Sequence, residues 1–349
     1  MESYQRLERA FAEWNNLDPV GMVACSSGSS ALHLALESLR LPNGCEVLTS
    51  DFNMIAVPRA CTLAGLTPVL VDCTDDLLIS TELMVQALTE GGSNWDRDIR
   101  STGFGLPRKQ AIGAIVLVHI YGRRYEWQRL TSELPFYGPR IIEDLAEAHG
   151  VRPHPETDAA CWSFFKNKII AGHEGGAVWF KNHEHAALAR QLRCLGFTDK
   201  HDFMHVPRGH NYRMSNAHAE LILDSLAKVD ENVARRREAE SWYDAECPDQ
   251  WKMPARTSPW VYDLRIPGMT AEQQDHAVRL LQEHGIQARH AFRPMSWQEE
   301  YRNGRLVRGP EHVAARMGRE VIYLPLMGVI EEDAKLAFQI LRGLLGSLE

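Results

Sequence analysis

The sequence predicts an α/β protein with two units. One is a large domain with a mostly parallel seven-stranded sheet flanked by helices, and the other is a smaller C-terminal α+β domain. Three observations carry this prediction. Short apolar runs alternate with helical periodicity over the first two thirds of the chain, as in layered α/β proteins. Ile141-Ile142 stops at Glu143-Asp144, which is typical of a buried strand that ends at a ligand site. After Cys247 the pattern changes to strands mixed with two helices.

Periodicity predicts the elements of the large domain in order. The first helix is indicated by apolar residues at spacings of three and four, at Tyr4, Leu7, Phe11 and Trp14. Apolar runs predict seven strands, at 22–25, 47–48, 69–71, 111–121, 141–142, 160–165 and 177–180. Helical spacing predicts further helices at 31–39, 55–64, 183–195 and 217–242. The polar segment 88–108 favours a surface excursion, and the basic run at 235–237 favours a solvated helix face.

The small domain is expected after a proline-bearing linker. We place the division between residues 1–245 and 246–349, which agrees with the two domains expected of 349 residues. Strands are predicted at 260–266, 286–292 and 321–324, and helices at 270–284 and 331–345. This region carries no catalytic signature of its own.

Composition narrows the function. The net charge of −8 disfavours a nucleic-acid partner and attraction to an anionic membrane. No apolar run approaches the roughly 18 residues of a membrane span, and the charged start does not resemble a signal peptide, so we expect the cytoplasm. The seven cysteines are scattered without a Cys-x-x-Cys pair, which favours reduced thiols.

Asp144 and Lys168 suggest a particular cofactor chemistry. Pyridoxal 5′-phosphate needs a lysine amine that forms a Schiff base with its aldehyde and an acid that keeps its pyridine nitrogen protonated. Both residues follow predicted strands and would face the same crevice. The bare pair is a weak signal, because most lysines are solvated surface groups.

A small-residue loop at 26–30, between a predicted strand and a predicted helix, favours anion binding. The free N–H groups and dipole of a helix N-terminus attract an anion by about 0.3 to 2 kcal/mol. Gly28 would let the backbone approach a phosphate. The same loop would also serve as a simple helix N-cap, and that alternative stays open.

The wider pattern resembles the sugar aminotransferase family named after DegT and StrS. The similar segments are EDLAEAHG at 143–150, SFFKNK at 163–168, EGG at 174–176, SSGSSAL at 26–32, VHIYG at 118–122 and GHNYRMS at 209–215. The family has the aspartate aminotransferase type fold (fold type I). Its members use pyridoxal phosphate to convert keto sugars or keto cyclitols into amino sugars.

The resemblance assigns roles to single residues. It implies that Asp144 pairs with the pyridine nitrogen, that Ser163 binds the phosphate and that Lys168 forms the Schiff base. Lys166 is the competitor for the last role, but the five-residue step from Ser163 favours Lys168.

Further cofactor-binding roles follow from the same resemblance. The loop residues Gly28 and Ser29 are expected at the phosphate, and Ser29 stands where the family has Thr. Met54 occupies the place of an aromatic residue on the ring face, although it could equally face the core. Glu147 stands where the family often has Gln, beside the phenolic oxygen of the cofactor.

Asn211 implies a homodimer with shared active sites, because the asparagine of this family segment reaches the phosphate of the neighbouring subunit. A structural histidine is favoured at 119. In the small domain, Arg289, His290 and Arg293 are candidates for substrate contacts. We expect no metal, since histidines 183, 185, 201, 205 and 210 lack a helical pair flanking an acid.

The resemblance therefore implies an aminotransferase of amino-sugar biosynthesis. Its amino donor would be glutamate or glutamine, and its acceptor a keto sugar, usually nucleotide-linked, or a keto cyclitol. A regulatory protein on the same fold is disfavoured because it would not need Lys168. The dehydratase branch of the family is disfavoured too, because there a histidine replaces this lysine.

Overall fold

The computed structural model describes residues 2–90, 111–127, 138–198, 203–205 and 208–345. Its large sheet contains eight strands: β1 (Met22–Cys25), β2 (Glu46–Ser50), β3 (Thr67–Val71), β4 (Ile112–Val118), β5 (Arg140–Asp144), β6 (Ala159–Ser163), β7 (Gly176–Phe180) and β10 (Leu306–Val307). They lie in the order β1-β7-β6-β5-β4-β2-β3-β10. Only β7 is antiparallel to its neighbours, β1 and β6.

A second, antiparallel sheet has three strands: β8 (Val261–Arg265), β9 (Arg289–His290) and β11 (Val321–Pro325), in the order β8-β11-β9. The described helices are α1 (Ser3–Trp14), α2 (Gly28–Ser38), α3 (Ala56–Leu63), α4 (Thr81–Glu90), α5 (His183–Arg193), α6 (Asn216–Leu226), α7 (Val229–Glu246), α8 (Ala271–Glu283), α9 (Val313–Glu320) and α10 (Glu331–Leu345). The predicted α/β class is confirmed.

Apolar side chains cover both faces of the large sheet. One face packs against α2, α3 and α5, and the opposite face packs against α1 and α6 around Phe11 and Trp162. A separate cluster under the small sheet includes Trp251, Tyr262 and Phe338. Among the described residues, no helix has both the length and the apolar composition needed to cross a bilayer. The division at residue 245, near the end of α7, stays a prediction.

The large sheet has one strand more than predicted. β10 comes from the C-terminal third of the chain and pairs in parallel with β3, Leu306 with Leu70 and Val307 with Val71. β10 is only two residues long and has an arginine on either side, and it was not predicted. Helices α4 and α9 were also missed, and most of the predicted excursion at 88–108 lies outside the described residues.

The single helix predicted at 217–242 is wrong, because the structure divides it into α6 and α7. The break at Ala227 and Lys228 lets both helices hold the loop that carries Lys168: Ser225 Oγ accepts from Ala171 N–H at 3.0 Å, and Asn232 Nδ2 donates to the Ile169 carbonyl at 3.3 Å. The helical periodicity and charged residues continue across this position, so no sequence signal marks the break.

Three predicted strands end early, and the one predicted at 160–165 stops at Ser163. The strand predicted at 111–121 stops at Val118, because the chain turns at Tyr121, whose φ is +50°. The strand predicted at 286–292 shrinks to Arg289 and His290, and the chain then leaves the small sheet so that Phe292 N–H donates to the Tyr121 hydroxyl at 3.0 Å.

Candidate active site

The candidate site lies at the carboxyl ends of β5 and β6. These strands are parallel neighbours, and Asp144 and Ser163 are their last residues. Lys168 follows five residues later, in the hairpin between β6 and β7. The topology therefore brings a carboxylate, a hydroxyl and an amine to one edge of the sheet, where open α/β sheets bind ligands.

Lys168 is held in a nearly dry environment. Its side chain is 11% exposed, and Nζ lies 3.9 Å from Glu147 Oε1 and 3.8 Å from the centroid of the Trp260 ring. Burial lowers the pKa of the amine, and the charges of Glu147 and Asp144 oppose this effect without cancelling it. A lowered pKa increases the fraction of neutral amine, which is the nucleophilic form.

The backbone around Lys168 is fixed by Arg236 of α7. The guanidinium donates to the Asn167 carbonyl at 3.3 Å, to the Lys168 carbonyl at 3.2 Å and to the Trp260 carbonyl at 2.9 Å. Arg236 is 5% exposed, and its burial lowers its pKa to about 10. The prediction of a solvated face for this basic run is therefore wrong at Arg236, although Arg235 beside it is exposed.

His149 clamps the same loop at both ends. Its Nδ1 accepts from Ile170 N–H at 3.0 Å, so Nε2 carries the proton and donates to the Ser163 carbonyl at 3.0 Å. Burial lowers the pKa of this imidazole to about 3, which keeps it neutral. The sequence comparison placed His149 inside a family segment but assigned it no role.

Asp144 is buried, with 7% of its surface exposed, and its Oδ1 accepts from Ala146 N–H at 3.0 Å. Burial raises the pKa of the carboxyl, while the charges of Lys168 and His119 lower it. A cationic N–H placed against this acid would favour its ionised form. The protonated nitrogen of a pyridine ring has that property.

Glu147 is the unusual acid of the site. Its Oε2 accepts from Tyr121 N–H at 2.8 Å, which requires the turn at Tyr121, and its other oxygen faces Lys168. Burial raises the pKa of Glu147 to about 7. The carboxyl is therefore able to change its protonation state near neutral pH, unlike the glutamine expected there.

The loop at 26–30 lies beside Ser163. A Cβ on Gly28 would come within 2.7 Å of the Ser163 Cβ, so only glycine allows this approach. Ser27 is the N-cap of α2 and accepts from Ser30 N–H at 3.1 Å, while Ser29 is exposed in the first turn. The capping interpretation is thus confirmed, and the helix N-terminus also points to the end of β6.

Met54 and Asn211 are not joined to Lys168 by any hydrogen bond or ion pair among the described residues. Met54 is 47% exposed before α3, which contradicts the alternative of a core residue. Asn211 is exposed, and its Oδ1 accepts from the Arg213 guanidinium at 3.1 Å. The roles of both residues stay predictions.

The contacts of the remaining candidate residues show where each of them lies. His119 is a buried structural histidine that donates to Glu143 at 2.7 Å, as predicted. His290 bonds Asp275, and Arg293 donates to the Gly318 carbonyl, whereas Arg289 lines a cavity of about 470 Å³ together with Lys166, Asn167, Trp260 and Tyr323. Trp260, which no sequence pattern singled out, contacts both this cavity and the Lys168 amine.

These contacts fit pyridoxal 5′-phosphate on structural grounds. The ring nitrogen requires an acid that accepts its N–H, the aldehyde a nucleophilic amine and the phosphate hydrogen-bond donors; a buried acid, an amine of lowered pKa and a glycine-bearing helix N-terminus at a serine supply these groups. The fold and this group of residues together define an α/β enzyme of the aspartate aminotransferase type.

Comparisons with known proteins agree with this class. The model of the DegT/DnrJ/EryC1/StrS aminotransferase family matches residues 2–337. GDP-perosamine synthase from Caulobacter vibrioides is 29% identical over 340 residues, which cover 93% of this chain and 85% of that protein. A dTDP-3-amino-3,4,6-trideoxy-alpha-D-glucose transaminase from Micromonospora megalomicea subsp. nigra is 30% identical over 243 residues, 68% of this chain and 59% of that protein. The fold of Spr1654 from Streptococcus pneumoniae, solved in its PLP form, matches with a TM-score of 0.85 at 21% identity, covering 100% of this chain and 92% of that one.

This chain therefore belongs to the DegT/DnrJ/EryC1/StrS aminotransferase family. It is an enzyme, an aminotransferase, and the resemblance seen in its sequence is confirmed.

Proposed function

We propose that this enzyme uses pyridoxal 5′-phosphate to move an amino group from glutamate or glutamine to the keto group of a nucleotide-linked sugar, in amino-sugar biosynthesis. The observation that carries the proposal is the Lys168 amine, which lies between Glu147 and the Trp260 ring in the crevice that also holds Asp144. When bound, pyridoxal 5′-phosphate supplies an aldehyde and an electron-accepting ring.

Residues of this chain would hold the cofactor at both ends. Asp144 would bind the protonated ring nitrogen, and Ser163 with Gly28 and Ser29 would bind the phosphate at the N-terminus of α2. Glu147 would face the phenolic oxygen. Met54 would pack on the ring face, where a thioether contact contributes about 0.3 to 1.5 kcal/mol.

Lys168 would carry the proton transfers. Its Nζ, whose pKa is lowered by burial, would take a proton from the α-carbon of the donor and return it as a general acid. Glu147, whose Oε1 lies 3.9 Å from Lys168 Nζ, would hold a proton beside the amine, because its pKa of about 7 allows both protonation states. Arg236 and His149 would keep the loop still during these transfers.

The nature of the acceptor rests on the relatives. The two named above make GDP-perosamine and a dTDP-linked amino sugar according to their names, which supports a nucleotide-linked keto sugar here. A keto cyclitol is the alternative acceptor. The cavity lined by Trp260 and Arg289 would hold part of the substrate, because Trp260 also contacts the Lys168 amine.

A homodimer in the cytoplasm completes the proposal. Asn211 is exposed, which accords with a role at a partner's phosphate. All seven cysteines are unpaired, in accord with a reducing compartment.

Spectroscopy of a variant pair tests the proposal. Lys168→Ala should abolish the visible absorbance that the lysine-bound cofactor gives, and Lys166→Ala, which removes the exposed competitor two residues away, should keep it. Adding glutamate or glutamine to the wild type should shift the band to that of the aminated cofactor, which a panel of keto sugars and keto cyclitols should then reverse selectively. An unchanged band in Lys168→Ala would refute the assignment.

A further inference from the structure

Two histidines and a glutamate meet beside α2. His33 and Glu37 lie one turn apart on this helix, and His210 belongs to the segment between α5 and α6. One ligand atom from each of the three residues lies within 4.8 Å of the others. We call this group the α2 histidine cluster.

The distances within the cluster are close to those of a metal site. His33 Nε2 lies 3.8 Å from Glu37 Oε2, and His210 Nε2 lies 2.7 Å from the same oxygen. Zinc binds histidine nitrogen and carboxylate oxygen at about 2.0 to 2.2 Å in a tetrahedron, which separates its ligand atoms by roughly 3.3 Å. Small movements of these three side chains would therefore bring their ligand atoms to the spacing of a tetrahedral zinc site.

One buried nitrogen of the cluster makes no hydrogen bond among the residues that the structure describes. His33 is 3% exposed, and within the described residues no atom stands in hydrogen-bond geometry to its Nε2. Its Nδ1 lies 3.0 Å from the Tyr212 hydroxyl. If Nδ1–H donates to that hydroxyl, the lone pair of Nε2 points into the cluster, which is how an outer hydrogen bond prepares a histidine to bind metal. The Leu63 backbone also interacts with the His33 ring, so in the other tautomer its carbonyl would compete for the ring N–H.

We propose that the α2 histidine cluster binds a divalent zinc-like cation through His33, Glu37 and His210, with water as the fourth ligand. The side chains of Glu37 and His210 are 24% and 22% exposed, so a cation has access from solvent. This departs from the sequence expectation of no metal, which considered histidines between 183 and 210 but not His33. His201 lies outside the described residues and is not part of the site.

The cation would join α2 to the segment that carries His210 and Asn211, and the proposed function needs both. Tyr212 already accepts from Ser26 N–H through its carbonyl at 2.8 Å, which ties the His210 segment to the loop before α2. Asn211 lies between the ligand His210 and the outer partner Tyr212. A metal here would have a structural role, fixing the position of Asn211 relative to the N-terminus of α2.

Metal content of the full-length, tag-free enzyme tests the proposal directly. The protein is stripped with a chelator, and binding of Zn²⁺ alone is measured by calorimetry, with Co²⁺ as a probe of tetrahedral coordination by visible absorption. We expect one ion per chain. His33→Gln and His210→Gln should each weaken binding by about 100-fold or more, and Tyr212→Phe by about 10-fold, as for loss of an outer partner.

A matched control separates this site from ordinary surface pairs. His183 forms an exposed pair with Asp18 at 3.0 Å, so His183→Gln should leave Zn²⁺ binding unchanged. Glu37→Gln, at a partly exposed position, provides a ligand variant with little risk to folding. Absence of stoichiometric binding in the wild type would overturn the proposal, as would equal affinity in the wild type, His33→Gln and Glu37→Gln. Neither result depends on aminotransferase activity.

Discussion

Replacing Glu147 with Gln removes a titrating carboxyl 3.9 Å from the Lys168 amine and leaves the shape of the side chain unchanged. At this distance an ionised carboxylate stabilises the ammonium by about 4 kcal/mol at an effective dielectric constant of about 20. Because the removed charge is negative, the pKa of Lys168, already lowered by burial, should fall further.

The assay is the rate at which the apoenzyme captures pyridoxal phosphate, followed by stopped-flow absorbance across a range of pH. The rate should follow the fraction of neutral Lys168 amine, so its inflection should move to lower pH in Glu147→Gln. The wild-type profile should also break near the pKa of about 7 of Glu147, and the variant should lack this break. Glu174→Gln, an exposed change on the same hairpin, is the control. An inflection that stays in place or moves upward in Glu147→Gln would refute the coupling.

Three further changes test the support of the site. Gly28→Ala should weaken cofactor binding and lower the free energy of unfolding by about 1 to 3 kcal/mol, because its Cβ meets Ser163. Gly343→Ala is the control, since a Cβ there meets no atom of the described residues. Equilibrium dialysis measures the binding, and urea unfolding measures the stability. Arg236→Gln should lower the free energy of unfolding by about 2 to 5 kcal/mol, because it leaves buried carbonyls unpaired. The exposed change Arg235→Gln should alter this free energy little. Equal losses in the two variants would contradict a buried, loop-fixing role for Arg236. The folded pKa of His149, about 3, lies below its unfolded value, so its contribution to stability is present above about pH 6.5 and is lost as the pH falls toward 3. In the wild type this loss should lower the free energy of unfolding by about 2 kcal/mol between pH 6.5 and 5, and His149→Asn should lack that decrease. Urea unfolding at several pH values measures it, and identical pH profiles would count against the prediction.

Seven of the eight strands of the large sheet were predictable, because each is at least four residues long and contains an apolar run. β1 has the predicted bounds, and β5 ends at Asp144 as expected. β10 and β9 are two residues long, so tertiary pairing rather than sequence pattern defines them. The α6–α7 break follows from contacts to the Lys168 loop, which no local periodicity encodes.

The placement of Asp144 and Lys168 at one edge of the sheet was predictable, but the contacts that hold the Lys168 loop were not. Asp144 and Lys168 were found through chemistry and family segments, since both follow recognisable strands. Arg236 and Trp260 approach the Lys168 loop from more than 65 residues away along the chain, and their roles depend on which carbonyl or amine they reach. A basic residue in a charged helix gives no signal that distinguishes a buried guanidinium from a solvated one.

The most direct test of the central claim is to reduce the cofactor-loaded enzyme with borohydride, digest it and locate the pyridoxyl group by mass spectrometry. The account predicts one modified lysine per chain, at Lys168. A pyridoxyl group on Lys166, or on any lysine outside the β6–β7 hairpin, would contradict it.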